Sequence, residues 1–296
     1  MLQLVIDGLF VGSFYALVAL GYSMVYGIIK LLNFAHGDIY MVGAFTGLVV
    51  FSTVSGLAGG GILSILLVML IAMIFTGLLG VGIERIAYRP LRKSPRLAVL
   101  ITAVGMSFIL EYGVRQIFGP NPQVYGARLE GATLSFLDAR ITLPQIVLMV
   151  VAAALMVVLN LYIMRSRDGR AMRAIALDPQ GAQLMGVNVD KVISRTFFIG
   201  SALAGAAGVM AGAYYGSIDF LMGFVIGLKA FTAAVIGGIG NLYGAMLGGI
   251  VLGLLEAFGT HWLGGQWRDV FSFACLILFL SFRPTGILGA RVVERM

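Results

Sequence analysis

Long apolar stretches, broken by short polar or basic loops, make up most of the chain. A helix needs about 20 mostly apolar residues to cross the hydrocarbon core of a bilayer. By that measure, candidate windows run over 6–29, 33–54, 62–83, 97–118, 142–164, 192–215, 222–240 and 242–260, and a shorter ninth covers 268–283. Only Lys30-Leu31-Leu32 separates the first two, and 222–240 meets 242–260 at Gly240-Asn241. These joins leave room for half-helices or re-entrant segments among the crossings. The pattern predicts an all-α fold, a polytopic transmembrane helix bundle of about eight or nine segments, with residues 1–296 as one membrane domain.

The basic residues give the bundle a direction. Arg85, Arg89, Arg92, Lys93 and Arg96 lie between the third and fourth windows, and Arg165, Arg167, Arg170, Arg173 and Lys191 between the fifth and sixth. Arg283, Arg291 and Arg295 mark the tail. The loop 119–141 holds only Arg128 and Arg140, offset by Glu130 and Asp138. Lys and Arg collect on the cytoplasmic side, so loops 84–96 and 165–191 and the C-terminus are expected inside, and 119–141 outside. Three crossings back from loop 84–96 put the N-terminus outside; a re-entrant 33–54 would move it inside.

Composition removes the soluble alternative. Of 296 residues, 60% are hydrophobic and 11% charged, and the mean hydropathy is +1.00. A soluble domain is about a quarter charged. The net charge of +7 is explained by the basic loops, without nucleic acid as a partner. One cysteine, Cys275, excludes an internal disulfide framework. The opening Met1-Leu2-Gln3-Leu4-Val5-Ile6-Asp7 lacks the basic start of a cleavable signal, so the first window reads as a retained membrane helix.

In lipid, helices associate mainly through close packing of small residues. Gly200, Ala204, Gly208 and Gly212 recur every four residues along one helix face, and Ala245, Gly249 and Gly253 form a second strip. Both suit either tight static packing or helices that slide during gating.

No engine or catalytic constellation accompanies these spans. The four lysines are Lys30, Lys93, Lys191 and Lys229, and none follows a glycine as a phosphate-binding loop requires. His36 and His261 are far apart, no His-x-x-x-His or Cys-x-x-Cys spacing offers a metal site, and no Gly-x-Ser-x-Gly elbow is present. The expectation is a transporter component that is no enzyme and binds no cofactor or metal of its own. An ion-gradient-driven secondary transporter or channel for a small polar solute is the rival reading, although such proteins tend to carry acid or base chains at mid-membrane.

Polar groups near or within the apolar windows are the candidates for a translocation route, because ionisable groups in lipid face a partner or a cavity. Asn33 and His36 suit the end of a broken helix lining that route, whereas Asn33 or Asp38 would also serve as an N-cap. Lys229, about 10 Å into its window, lines the pathway, or its long stem snorkels to the interface; Glu256 is a candidate partner. Glu111 and Arg115, spaced i, i+4, suit a structural pair. Gly237, Gly238, Gly240 and Asn241 break a helix where exposed backbone must face protein or a water-filled cavity.

The basic loop 165–191 predicts a short helix over Gly169–Leu177 and another over Pro179–Met185, with Asp178 as N-cap and Gly186 as terminator. Such elements lie on a membrane surface or dock in a partner's groove. An ordinary positive-inside loop is the plainer alternative.

Four blocks, in order along the chain, resemble the branched-chain amino acid ABC transporter permeases, the LivH/LivM family. They are Leu32-Asn33-Phe34-Ala35-His36-Gly37-Asp38; Arg170-Ala171-Met172-Arg173-Ala174 with Asp178, Ala182 and Met185-Gly186-Val187; Phe231 to Asn241 with Gly244 and Gly248-Gly249; and Arg283-Pro284-Thr285-Gly286-Ile287-Leu288-Gly289. The first is closer to the LivH type. The resemblance implies a permease of the bacterial inner membrane, multi-pass, with a cytoplasmic C-terminus. It implies a homologous LivM-type second permease, two cytoplasmic ABC ATPase subunits that use the ATP, and an extracytoplasmic substrate-binding protein. It also implies that Arg170, Arg173, Ala174, Asp178, Ala182 and Gly186 lie at or near the ATPase contact. Related permeases carry urea, short amides or other amino acids, so the resemblance leaves the substrate open.

Overall fold

The computed structural model describes residues 1–58, 62–92, 94–126, 133–136, 139–283 and 285–289. Lys93, Arg128, Glu130, Asp138, Pro284, Arg291 and Arg295 fall outside that set. The described chain is a helical bundle in which the expected windows become α1 (Leu2–Ile29), α2 (His36–Ala58), α3 (Ile62–Ile83), α4 (Arg96–Phe118), α5 (Leu143–Arg165), α8 (Val189–Tyr215), α9 (Met222–Gly237), α10 (Leu242–Leu263) and α11 (Arg268–Phe282). The basic loop supplies α6 (Arg167–Leu177) and α7 (Pro179–Leu184). Among the described residues seven helices, α1 to α5, α8 and α10, are long and apolar enough to cross a membrane. The other two, α9 with 16 residues and α11 with 15, are short.

Local chemistry sets many of the boundaries. Thr142 and Gln145 form a reciprocal capping box at the start of α5, with Pro144 in its first turn. Ser166, Asp178, Asn188 and Asn241 each accept a backbone N–H as N-caps of α6, α7, α8 and α10. A π-helical turn, Glu84–Tyr88, ends α3.

Two opposite ends emerge. The start of α1 meets a small hairpin, β2 (Thr133–Phe136) with β3 (Ala139–Thr142), where the Arg140 backbone N–H donates to Gln3 at 2.8 Å. At the other end, Gly27 of α1 approaches Gly240, and the segment 285–289 hydrogen-bonds to Ile236 and Gly237. Loops 84–92 and 165–188 share this second end, here termed the basic end. The start of α1 and the segment 285–289 therefore lie at opposite ends, as an odd number of crossings between them requires. The segment 33–54 does not displace the N-terminus, because α2 runs through to the hairpin end, where Gly47 packs on Tyr125.

The helix α2 nevertheless starts inside the bundle. His36 packs against Gly21, nine residues before Lys30 and so about 13 Å in from the end of α1. Lys30 reverses the chain in a left-handed conformation, φ 56°, and residues 30–35 climb back into the bundle without helix.

Small residues bring the core helices together. On α10, Gly249 and Gly253 meet the backbone of Ala16 and Gly12 on α1, and Gly8 meets Leu254. Along α8, Gly200 approaches Gly21 of α1 and Gly208 packs on Tyr40 and Ala44 of α2, while Gly205 meets Gly43 and Thr76. At these positions an added methyl would run into backbone or a buried hydroxyl, so only a small residue allows the approach.

Candidate functional site

A cluster of four charges, buried at Lys229 and Glu256, joins α9, α10 and α11. Lys229 Nζ lies 2.7 Å from both Glu256 Oε1 and Asp269 Oδ1. The Glu256 carboxylate also accepts from Arg268, from the Tyr15 hydroxyl at 2.7 Å and from Ser272 at 3.5 Å. Arg268 reaches the Tyr215 hydroxyl at 2.9 Å. Two cations thus face two carboxylates, and the burial of Lys229 and Glu256 is tolerable in an apolar bundle because the charges cancel locally. Lys229 does not snorkel: it is 2% exposed and its ammonium ends on carboxylates.

A cavity of about 350 Å³ opens beside this cluster, lined by Asp7, Val11, Tyr215, Glu256, His261 and Arg268 among others. Glu256 is fourteen residues into α10, about 21 Å from its basic-end start. Only seven residues follow it to Leu263, so the cavity presents an acid and a base about 10 Å in from the hairpin end, beside apolar walls. Nearby, burial of Tyr125 in the loop after β1 (Gln123–Val124) raises its phenol above the ordinary range, so it stays protonated.

The polar cluster at the start of α2 has a different build. Asn33 Oδ1 accepts from the Tyr88 hydroxyl at 2.6 Å, and His36 stands edge-on to Tyr22 with ring centroids 4.8 Å apart. Asn33 Nδ2, His36 Nε2 and Asp38 Oδ1 are buried without a partner. Neither Asn33 nor Asp38 caps α2 through its side chain: Asp38 sits inside the first turn and accepts from Ser107 of α4. Glu111 turns towards the same carboxyl, while Arg115 lies over the rings of Tyr112 and Phe220, at 5.8 and 5.4 Å. The expected Glu111–Arg115 pair is therefore not formed: Arg115 is taken up by the two aromatic rings instead.

The glycine break between α9 and α10 is packed with backbone. Ile287 and Leu288 donate to Ile236 and Gly237 at 2.8 and 3.0 Å, and Asn241 Nδ2 donates to the Leu288 carbonyl at 2.8 Å. Gly237 abuts Gly244, and Gly238 abuts Gly289. Gly240 instead lines a cavity of about 100 Å³ with Gly27, Met172, Arg173 and Ala176, which brings this turn against α6.

The helices α6 and α7 form as their caps dictate. Asp178 accepts from the Gln180 backbone at 2.9 Å, and Gly186 closes the segment with φ 84°, a left-handed backbone that suits glycine. Met172, Ile175 and Ala182 turn inward, while Leu177, Leu184 and Met185 are 89%, 89% and 85% exposed. Arg170 donates to the Arg165 carbonyl at 3.3 Å, and Arg173 to the carbonyls of Ile163 and Met164, so both cover the open end of α5. Ala174 is half-buried beside them. A pair between Asp168 and Arg195 ties α6 to α8.

A model of the branched-chain amino acid transport system permease component matches residues 4–280. The chain belongs to that permease family. It is 46% identical over 310 residues to the high-affinity branched-chain amino acid transport system permease protein BraD of Pseudomonas aeruginosa, covering 100% of this chain and 98% of that protein. Identity to the LivH permease protein of the same description from Escherichia coli K12 is 44% over 302 residues, covering 100% and 97%. The LivM permease protein of Salmonella typhimurium is 24% identical over 306 residues, covering 93% and 67%.

In this permease, several site residues escaped the sequence reading. Glu84 is fully buried on the π-turn and bonds Arg89, Arg92 and Ser194, and Arg92 also reaches Asp190 at 2.6 Å. A π-turn re-aims side chains relative to a regular helix, and helical spacing alone could not have revealed it. Arg268 and Tyr15 were also missed. The signal for Arg268 was available: an Arg-Asp pair opens the last apolar window.

Proposed function

We propose that this permease is the membrane-spanning subunit of an ATP-driven ABC importer that moves branched-chain amino acids across the bacterial inner membrane. The observation that carries the reading is identity of 44–46% across the full chain to proteins named for high-affinity branched-chain amino acid transport. The subunit has no ATPase site or cofactor of its own. ATP is consumed by two cytoplasmic ATPase subunits, a LivM-type permease completes the membrane unit, and an extracytoplasmic protein delivers the amino acid. The basic end, with the C-terminal segment, faces the cytoplasm.

The ATPases dock on α6 and α7, where Leu177, Leu184 and Met185 present unpartnered apolar side chains between exposed Arg170, Arg173, Asp178 and Gly186. Because α6 is bonded to the end of α5 and to α8, movement of the docked motor shifts those helices as rigid bodies. The pathway involves the cavity at Glu256 and Arg268, backed by Lys229, and the polar start of α2 at Asn33 and His36, and the turn at Gly237, Gly238, Gly240 and Asn241 transmits motion between α6 and α9. A zwitterionic amino acid with an apolar side chain suits a cavity that pairs an acid and a base with apolar walls.

Purification in mild detergent tests the assignment, followed by leucine uptake into vesicles. Two ATPase subunits and a sister permease are expected to co-purify, and uptake is expected to need ATP and the binding protein. Leucine or another solute moving through the purified chain alone, driven by an ion gradient, would overturn it.

A further inference from the structure

Where α3 ends and α8 begins, the basic end holds a separate cavity of about 500 Å³. Its lining includes four cations, Arg85, Arg89, Lys191 and Arg195, and one carboxylate, Asp190. Asp190 is already paired with Arg92, Arg89 leans on Glu84 and Ser194, and Arg195 holds Asp168. Arg85 and Lys191 are exposed and make no ion pair among the described residues. The cavity thus keeps an uncompensated positive charge that a bound anion would neutralise.

Its walls are not those of a purely aqueous site. Val81 and Phe198, half-buried, line it on the side of the helix bodies. Ile74, Leu78, Val81 and Arg85 follow at helical spacing, so they share one face of α3 and its π-turn. Leu78 is 61% and Ile74 49% exposed. Cations at the bilayer surface therefore lead into an apolar strip that descends along the helix.

We propose that this cavity binds the phosphate headgroup of an anionic phospholipid, with an acyl chain laid along Val81, Leu78 and Ile74. Basic pockets between membrane helices suit anionic headgroups, and the attraction scales with the number of Lys and Arg near the surface. A soluble phosphate would use the cations but leave the apolar strip unfilled. The site shares Arg89, Asn188 and Asp190 with a neighbouring cavity that reaches Gln183 and Gly186, so the lipid braces the start of α8 beside α7. The proposal needs the chain to be embedded in lipid, and it is independent of the transported substrate.

Native mass spectrometry of the full permease, mixed with phosphatidylglycerol or phosphatidylethanolamine, tests it. Phosphatidylglycerol is expected to be retained preferentially. Lys191→Ala should lower that retention about fivefold and Arg85→Ala with Lys191→Ala roughly 30-fold, while Arg85→Lys with Lys191→Arg preserves it. If the double variant does not fold, Lys191→Ala decides, since it removes only an exposed side chain. Equal retention of the two lipids, or retention unchanged by Lys191→Ala, would overturn the proposal. Displacement of the lipid by inorganic phosphate would reassign the cavity to a soluble anion, and displacement by ATPase subunits would reassign it to a protein interface.

Discussion

The ammonium of Lys229 lies 2.7 Å from the carboxylate of Glu256, 27 residues away, and neither side chain is more than 3% exposed. Glu256 is the hub, because Arg268, Tyr15 and Ser272 converge on it as well. Glu256→Ala strands two cations with Asp269 as the remaining carboxylate, and is expected to cost about 3–5 kcal/mol of stability. Lys229→Met should cost less, since Glu256 keeps Arg268. The double variant Lys229→Met, Glu256→Ala leaves the neutral couple Arg268 and Asp269, and should be more stable than Glu256→Ala alone. Unfolding in detergent measures all three; losses that simply add would show that the two side chains are not coupled.

The contact of α1 with α10 depends on the absence of side chains. A methyl on Gly249 would meet the backbone of Ala16, which cannot move without parting the helices. Gly249→Ala is therefore expected to lower the melting temperature by several degrees. Gly82→Ala is the control, because a Cβ there meets nothing within 4 Å. It should be neutral or slightly stabilising, since alanine favours helix by about 1 kcal/mol. Equal melting temperatures for the two variants would mean that the bundle relaxes freely around α1.

The exposed apolar rim of α7 separates docking from folding. Leu184 is 89% exposed, so Leu184→Asp should leave the melting temperature within experimental error of the parent. The same change should reduce co-purified ATPase subunits at least about tenfold if the side chain fills a central apolar pocket of the partner. Gly186→Val acts differently, forcing a β-branched residue into φ 84° and distorting the exit from α7. ATPase binding unaffected by Leu184→Asp would place the docking surface elsewhere.

Much of the architecture was legible because lipid imposes strict rules on sequence. Apolar length marked the helices, and the caps at Asp178 and Gly186 marked α6 and α7 to within about two residues. The likeness of Leu32–Asp38 and Phe231–Asn241 to one permease family was legible too, and residues 4–280 match that family. Partnerships across the bundle were not. Asp38 and Glu111 looked like a cap and half of a helical pair, yet each answers to a different helix. The small-residue strip on α10 was visible, but its complement on α1 at Gly8, Gly12 and Ala16 was not singled out. Periodicity shows which residues share a face, and only the fold shows what that face meets.

Arg173 carries the mechanical link between α6 and the membrane helix α5. Its guanidinium donates to the carbonyls of Ile163 and Met164, which no helical N–H satisfies. Gly169 packs directly on the Ile163 carbonyl, so the two helices touch there without an intervening side chain. Arg173→Ala removes both hydrogen bonds and uncovers the Ile163 and Met164 carbonyls, which should raise amide exchange across 163–177 while the rest of the bundle stays protected. Arg173→Lys offers one point donor where the fork served two carbonyls, and should restore only part of that protection. In vesicles reconstituted with the proposed ATPase subunits, Arg173→Ala is expected to move less amino acid per ATP hydrolysed, because α6 is then fastened to α5 only through Arg170 and through the Tyr162 hydroxyl on Asp168. An unchanged ratio of transport to hydrolysis, with exchange raised as expected, would show that force travels through the remaining ties of α6, at Arg170, Tyr162–Asp168 or Asp168–Arg195, instead.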